Sequence, residues 1–111
     1  MHEVGIMTDA LEIAANAAVA SGASRITVMR MKVGELSGVA SDALSFAFDV
    51  IASKSMAAGA TLTIETVPAA SACRVCGREW IGRSIAPCSE CGGESAIIRG
   101  YELLVSSIEV D

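Results

Sequence analysis

Four cysteines fall in two Cys-x2-Cys pairs, Cys73/Cys76 and Cys88/Cys91, with 11 residues between the pairs, and no other feature restricts the chain as much. Pairs spaced this way let four sulfurs converge on one tetrahedral ion. Gly77 follows the first pair and Gly92-Gly93 the second, so the backbone can turn tightly around a shared centre on both sides. Thiolates are soft ligands that suit zinc, and a shell of four fills every position and leaves none for a substrate. The pattern predicts a structural Zn(II) held by Cys73, Cys76, Cys88 and Cys91. Iron is the competing metal, and two disulfides or four unrelated thiols are the alternatives without one.

The single histidine is residue 2, in Met1-His2-Glu3. Beside a free α-amine, a histidine can close adjacent chelate rings on one metal through the amine, its own deprotonated amide and the imidazole Nδ1. A further amide such as that of Glu3 would complete a square, the nitrogen geometry that suits Ni(II) or Cu(II). One histidine near a terminus is more often an accident of composition, so the residues alone leave both readings open.

A chain of 111 residues is one domain's worth, close to the size at which a small fold needs a staple, and a zinc site would supply it. The chain is 52% hydrophobic, with the surplus largely alanine spread along helix-like segments, and no apolar run approaches the roughly 18 residues of a membrane span. No lysine or arginine precedes Arg25, whereas Glu3, Asp9 and Glu12 do, which is the wrong charge order for a secretory signal. A cytoplasmic chain is therefore expected, and in a reducing compartment paired cysteines point to metal rather than disulfides. Residues 1–72 carry four basic and seven acidic side chains, 73–100 four and three, and the last 11 none and three. A pI near 4.7 opposes binding to phosphate, so nucleic acid is not an expected partner. Arg74, Arg78, Arg83 and Arg99 are expected to solvate the small cysteine module, with an acidic protein surface as their other possible contact. No nucleophile, base and orienting group stand out together, so nothing points to an enzyme.

From about Ile6 to Ser21, Met7, Leu11, Ala14 and Ala18 recur at helical spacing, with Val4 one step earlier and Gly22 as the stop. Met1 to Glu3 would then lie free, just outside the helix. Arg25 to Val33 reads as a strand, with Met29, Met31 and Val33 on one face. After Gly34 to Gly38, a second helix would bury Ala40, Leu44, Ala47, Phe48 and Ile51, capped near Ser37 or Ser41. Ala60 to Val67 returns as a strand, which makes a strand–helix–strand crossover of right-handed type. Glu35 and Asp42 are expected to be solvated, and Ala69 to Ala72 to form a hinge. Tyr101 to Val110 reads as a strand buried on part of both faces. It needs a sheet that the cysteine module is too small to provide, so 69–99 would be an insertion. The expected fold is α+β: two helices on a small three-stranded mixed sheet formed by 1–68 and 100–111, with a zinc-ribbon lobe in between.

Met1-His2-Glu3, Gly34-x-Leu36-Ser37, Leu44-x-Phe46-x-Phe48, Ile64-Glu65-x-Val67-Pro68, the two cysteine pairs and Ile108-Glu109-Val110, in this order, resemble the HypA family of nickel metallochaperones for NiFe-hydrogenase maturation. The resemblance covers the full chain. It implies the split α+β fold, Ni(II) bound through the Met1 amine, the His2 side chain and amide and the Glu3 amide, and zinc in the other lobe. It also implies cooperation with a HypB-type GTPase and delivery to the NiFe-hydrogenase large subunit, some members serving urease maturation as well. Some relatives carry histidines beside the cysteine pairs, but residues 73–100 here contain none, so a purely structural zinc is expected. The alternative is a zinc-ribbon adaptor that binds a protein partner and no second metal.

Overall fold

The computed structural model describes residues 2–84 and 86–111. Helix α1 spans His2–Ala20 and buries Met7, Ala10, Leu11, Ala14 and Ala18 along one stripe. It ends in a Schellman arrangement: the Gly22 N–H donates to the Val19 carbonyl and the Ala23 N–H to that of Ala18, both at 3.0 Å. Its start differs from expectation, because His2 and Glu3 lie within the first turn rather than ahead of it. Nothing in their side chains resists helix, and an acidic Glu3 in the first turn complements the helix dipole.

Strand β1 spans Ile26–Gly34, helix α2 Ser41–Ala52, strand β2 Thr61–Val67 and strand β6 Leu103–Val110. Between β2 and β6 come β3 (Ala70–Cys73), β4 (Glu79–Ile81) and β5 (Ser95–Arg99). One sheet has the order β2-β1-β6 and the other β4-β3-β5. Strand β6 runs antiparallel to β1, since the Asp111 N–H bonds the Arg25 carbonyl at one end and the Gly34 N–H the Glu102 carbonyl at the other. Strand β2 runs with β1: Ile26 bonds Met56 just ahead of β2, and Glu35 bonds Val67 at its end. The sheet is therefore mixed.

The chain forms two compact units, 1–32 with 39–65 and 103–111, and 33–38 with 66–102. In the first, Met7, Leu11, Ile26, Met29, Met31, Leu44 and Phe48 are buried, and each large apolar side chain removed from water contributes roughly 1.5–3 kcal/mol. Helix α2 buries Leu44, Ala47, Phe48 and Ala52. Its expected serine cap is absent, since Ala40 occupies the N-cap with no side-chain hydrogen bond, and Ala40 itself is exposed where burial was expected. Ile51 is only half-buried.

Segment 69–72, expected as a hinge, is instead the centre of the second unit. Ala69, Ala70 and Ser71 are at most 2% exposed, and β3 pairs antiparallel with β4 on one side and β5 on the other. The residues are small because two strands and a close backbone crowd them, not because the segment bends. Val33 to Gly38 also belongs to this second unit, not to a connection within the first. Gly34 packs so closely that an added Cβ would lie 2.1 Å from the Gly100 carbonyl oxygen. Strand β6 departs from expectation too, for only Val105 and Ile108 are half-buried and its other residues are exposed. It sits at the edge of its sheet, where among the described residues no further strand pairs with it.

Candidate metal sites

The second unit folds the two cysteine pairs into near-copies of one turn. In the first, the Cys73 N–H donates to the Arg78 carbonyl and the Gly77 N–H to that of Cys73; in the second, Cys88 bonds Gly93 and Gly92 bonds Cys88 in the same offsets. Gly77 and Gly92 adopt φ of 78° and 75°, a left-handed conformation that a side chain would strain. The N–H groups of Val75 and Cys76 point at Cys73 Sγ, that of Glu90 at Cys88 Sγ and that of Gly93 at Cys91 Sγ, all at 3.4 Å. Such a cradle stabilises a thiolate over a thiol.

All four sulfurs lie within 4.8 Å of one another, with Cys73 Sγ 3.4 Å from Cys91 Sγ and Cys76 Sγ 3.8 Å from Cys88 Sγ. Zinc–sulfur bonds of about 2.3 Å place the corners of a regular tetrahedron about 3.8 Å apart, so the set lies close to the arrangement that ion needs. None of these separations is the roughly 2.05 Å of a disulfide bond, and all four cysteines are free. The electrostatics also call for a cation. N–H bonds from Cys76 and Val75 lower the Cys73 thiol from 9.0 to about 6, and bonds from Cys91 and Glu90 lower Cys88. At Cys91 the Gly93 N–H favours the thiolate, but the neighbouring Cys73 and Cys76 sulfurs and burial outweigh it and push the thiol up to about 12. One thiolate forms readily and the last does not, unless a dication neutralises the cluster. Zinc held by Cys73, Cys76, Cys88 and Cys91 would cross-link the strands around it and offer no open coordination position.

The expected N-terminal ligands lie elsewhere. Met1 falls outside the described residues. The His2 side chain is 70% exposed, its Nε2 3.8 Å from Glu3 Oε2, while the Glu3 side chain is 19% exposed. As the opening residues of α1, both have amides among the first four of a helix, which no helical carbonyl accepts.

Three residues that the sequence reading undervalued hold the second unit together. Glu35, exposed as expected, also accepts the Ala69 N–H through Oε1 at 2.7 Å. Ser71 Oγ donates to the Gly82 carbonyl at 2.7 Å and accepts the Ser84 N–H at 3.3 Å, tying β3 to the loop after β4. A Cβ on Gly93 would meet Val75 and Cys73 Sγ within 2.9 Å. Only Gly93, beside the second pair, carried a signal in the sequence; a serine among alanines reads as readily as a linker. The arginines are partly paired: Arg74 with Glu94, Arg99 with Glu79, and Arg78 stacked 5.0 Å over Trp80.

A family model described as hydrogenase/urease nickel incorporation, metallochaperone, hypA matches residues 1–110. The hydrogenase maturation factor HypA of Picosynechococcus sp. is 40% identical over 112 residues, and that of Synechococcus elongatus 37% over 111, each alignment covering 99% of both chains. The solution structure of the Ni metallochaperone HypA from Helicobacter pylori superposes with a TM-score of 0.70 at 19% identity, over 97% of this chain and 96% of that one. A second HypA solution structure gives 0.79 at 21%, over 100% and 97%. At these identities the structural likeness speaks for the fold, while the family match covers nearly every residue. The chain belongs to the HypA family of hydrogenase/urease nickel-incorporation metallochaperones.

Proposed function

We propose that this chain carries Ni(II) at its N-terminus, bound by the Met1 α-amine, the His2 amide and Nδ1, and the Glu3 amide, and hands it to the large subunit of a NiFe-hydrogenase in the cytoplasm with the help of a HypB-type GTPase. The zinc unit, residues 69–99 in the expected partition, keeps its shape and takes no part in transfer. The observation that carries the reading is the exposed His2 imidazole on the opening turn of α1. Amides there have no helical acceptor to lose, and the negative charge they take on when deprotonated sits where the helix dipole favours it. An exposed, all-nitrogen site also allows ligands to be exchanged one by one, as delivery requires.

Equilibrium dialysis against Ni(II) tests this. His2→Ala is expected to abolish nickel binding at the terminus while zinc content and helix signal persist, and equal nickel occupancy in both proteins would refute the proposal. Occupancy should also fall on acidification, since protons compete for every ligand.

A further inference from the structure

Strand β6 lacks the devices that normally protect a sheet edge. Among the described residues it has a strand neighbour only on the β1 side; it runs eight residues and contains no proline, glycine or lysine, while Leu103, Leu104 and Val110 are 36–44% exposed. The opposite edge, β2, is studded instead with Thr61, Thr63, Glu65 and Thr66. Beside β6, against α1, run two adjoining depressions of about 210 and 190 Å³ that share Ile13 and Val105. Ile6, Ala10, Ala14 and Ala17 form the helix wall, and Leu103, Leu104 and Ile108 the strand wall. Ile13 stands in the middle, 61% exposed.

The free charge around this trough is mainly acidic. Asp9 lines it, Glu3 and Glu12 lie on the same helix, and Asp111 directly follows the strand, while Glu109 and Arg30 neutralise each other. No lysine or arginine occurs before residue 25, and the guanidinium of Arg30 is already engaged by Glu109. A second copy of this chain pairing through β6 about a twofold axis would run antiparallel, and in full register it would set Glu102 of one copy beside Asp111 of the other, which disfavours self-association.

We infer that the free edge of β6 and the trough beside α1 take up an extended segment of a protein partner, with apolar side chains at alternate positions and lysine or arginine at its flanks. Main-chain bonds to β6 supply the pairing, and every second side chain of the added strand drops into the trough against Ile13. The basic flanks meet the acidic helix and strand end. This surface goes beyond the nickel proposal and does not depend on it, since His2 is not among the residues lining the trough.

The test uses the zinc-loaded full chain and a synthetic peptide of alternating valine and threonine with two lysines at each end. Amide NMR shifts are expected along β6 and from Ile6 to Ala17, together with new exchange protection on β6 amides that face away from β1. Ile13→Lys should weaken binding about tenfold or more, as loss of a central contact does, and Phe46→Ala, on exposed α2 surface, should leave it unchanged. His2→Ala should bind the peptide like wild type, so a failed nickel experiment and a failed peptide experiment remain distinguishable. The inference is overturned by shifts confined to other surfaces, by equal binding of the same peptide flanked with glutamates, or by a concentration-dependent dimer joined through β6.

Discussion

A single serine hydroxyl illustrates how much the second unit rests on individual atoms. Ser71 is fully buried, and its Oγ serves one carbonyl and one N–H of the loop after β4. Ser71→Ala leaves both without a partner and is expected to cost about 1–3 kcal/mol, measurable by urea denaturation of the zinc-loaded protein. Gly34→Ala should cost about 3 kcal/mol, the upper end of overpacking, because the added methyl would meet backbone that cannot swing aside. Arg30→Ala by contrast should change stability by less than about 1 kcal/mol, since its pair with Glu109 is about half exposed at each end. The cysteines make a prediction about protons. Cys73, lowered to about 6 by the Cys76 and Val75 N–H groups, is already a thiolate at pH 7, whereas Cys91, near 12, is not. Its own stabilising charge is therefore present above the ordinary thiol range and lost as pH falls through about 6. Zinc loading should release fewer than four protons at pH 7 and about one more at pH 5, as calorimetry in buffers of different ionisation enthalpy would read. Sequence spacing revealed which four residues meet, but not this inequality, which arises from N–H groups that only the folded turns aim at the sulfurs.

At the level of elements, the apolar periodicity located α1, β1, α2 and β2 because burial on one face leaves a repeat of 3.6 or 2 in the chain. It failed where that repeat carries no information. Ala69 to Ala72 has no apolar contrast, so a central strand looked like a linker. The helix start was misplaced because Met1 to Val4 have no pattern that distinguishes a free leader from a first turn, and propensity alone lets the helix begin at His2. This affects loading. A tag fused ahead of Met1 removes the α-amine while leaving the α1 core of Met7, Leu11 and Ala14 untouched. It should therefore abolish planar nickel absorption with no change in helix content by circular dichroism, and a tagged form with the same visible spectrum as the untagged one would rule the amine out.

For the whole molecule, the two compact units predict different responses to metal removal. A strong zinc chelator should unfold the β4-β3-β5 sheet, whose small core includes Cys73 and Cys88 themselves, while α1 and α2 keep their packing around Met7, Leu44 and Phe48. Trp80 lies in β4 and is the only tryptophan, so its fluorescence should report the loss while the helical signal stays near its starting value. The sequence by itself determined the four-sulfur centre, the two helices and the histidine at the second position, because ligand chemistry and one-sided burial are properties of residue type and spacing. Tertiary structure alone decided that Val33 to Gly38 joins the cysteine unit, that Ala69 to Ser71 is its buried centre, and that β6 is the edge strand of its sheet. Each of these depends on which backbone lies alongside, and two glycines such as Gly34 and Gly100, 66 positions apart, reveal their close approach only once the chain has brought them together.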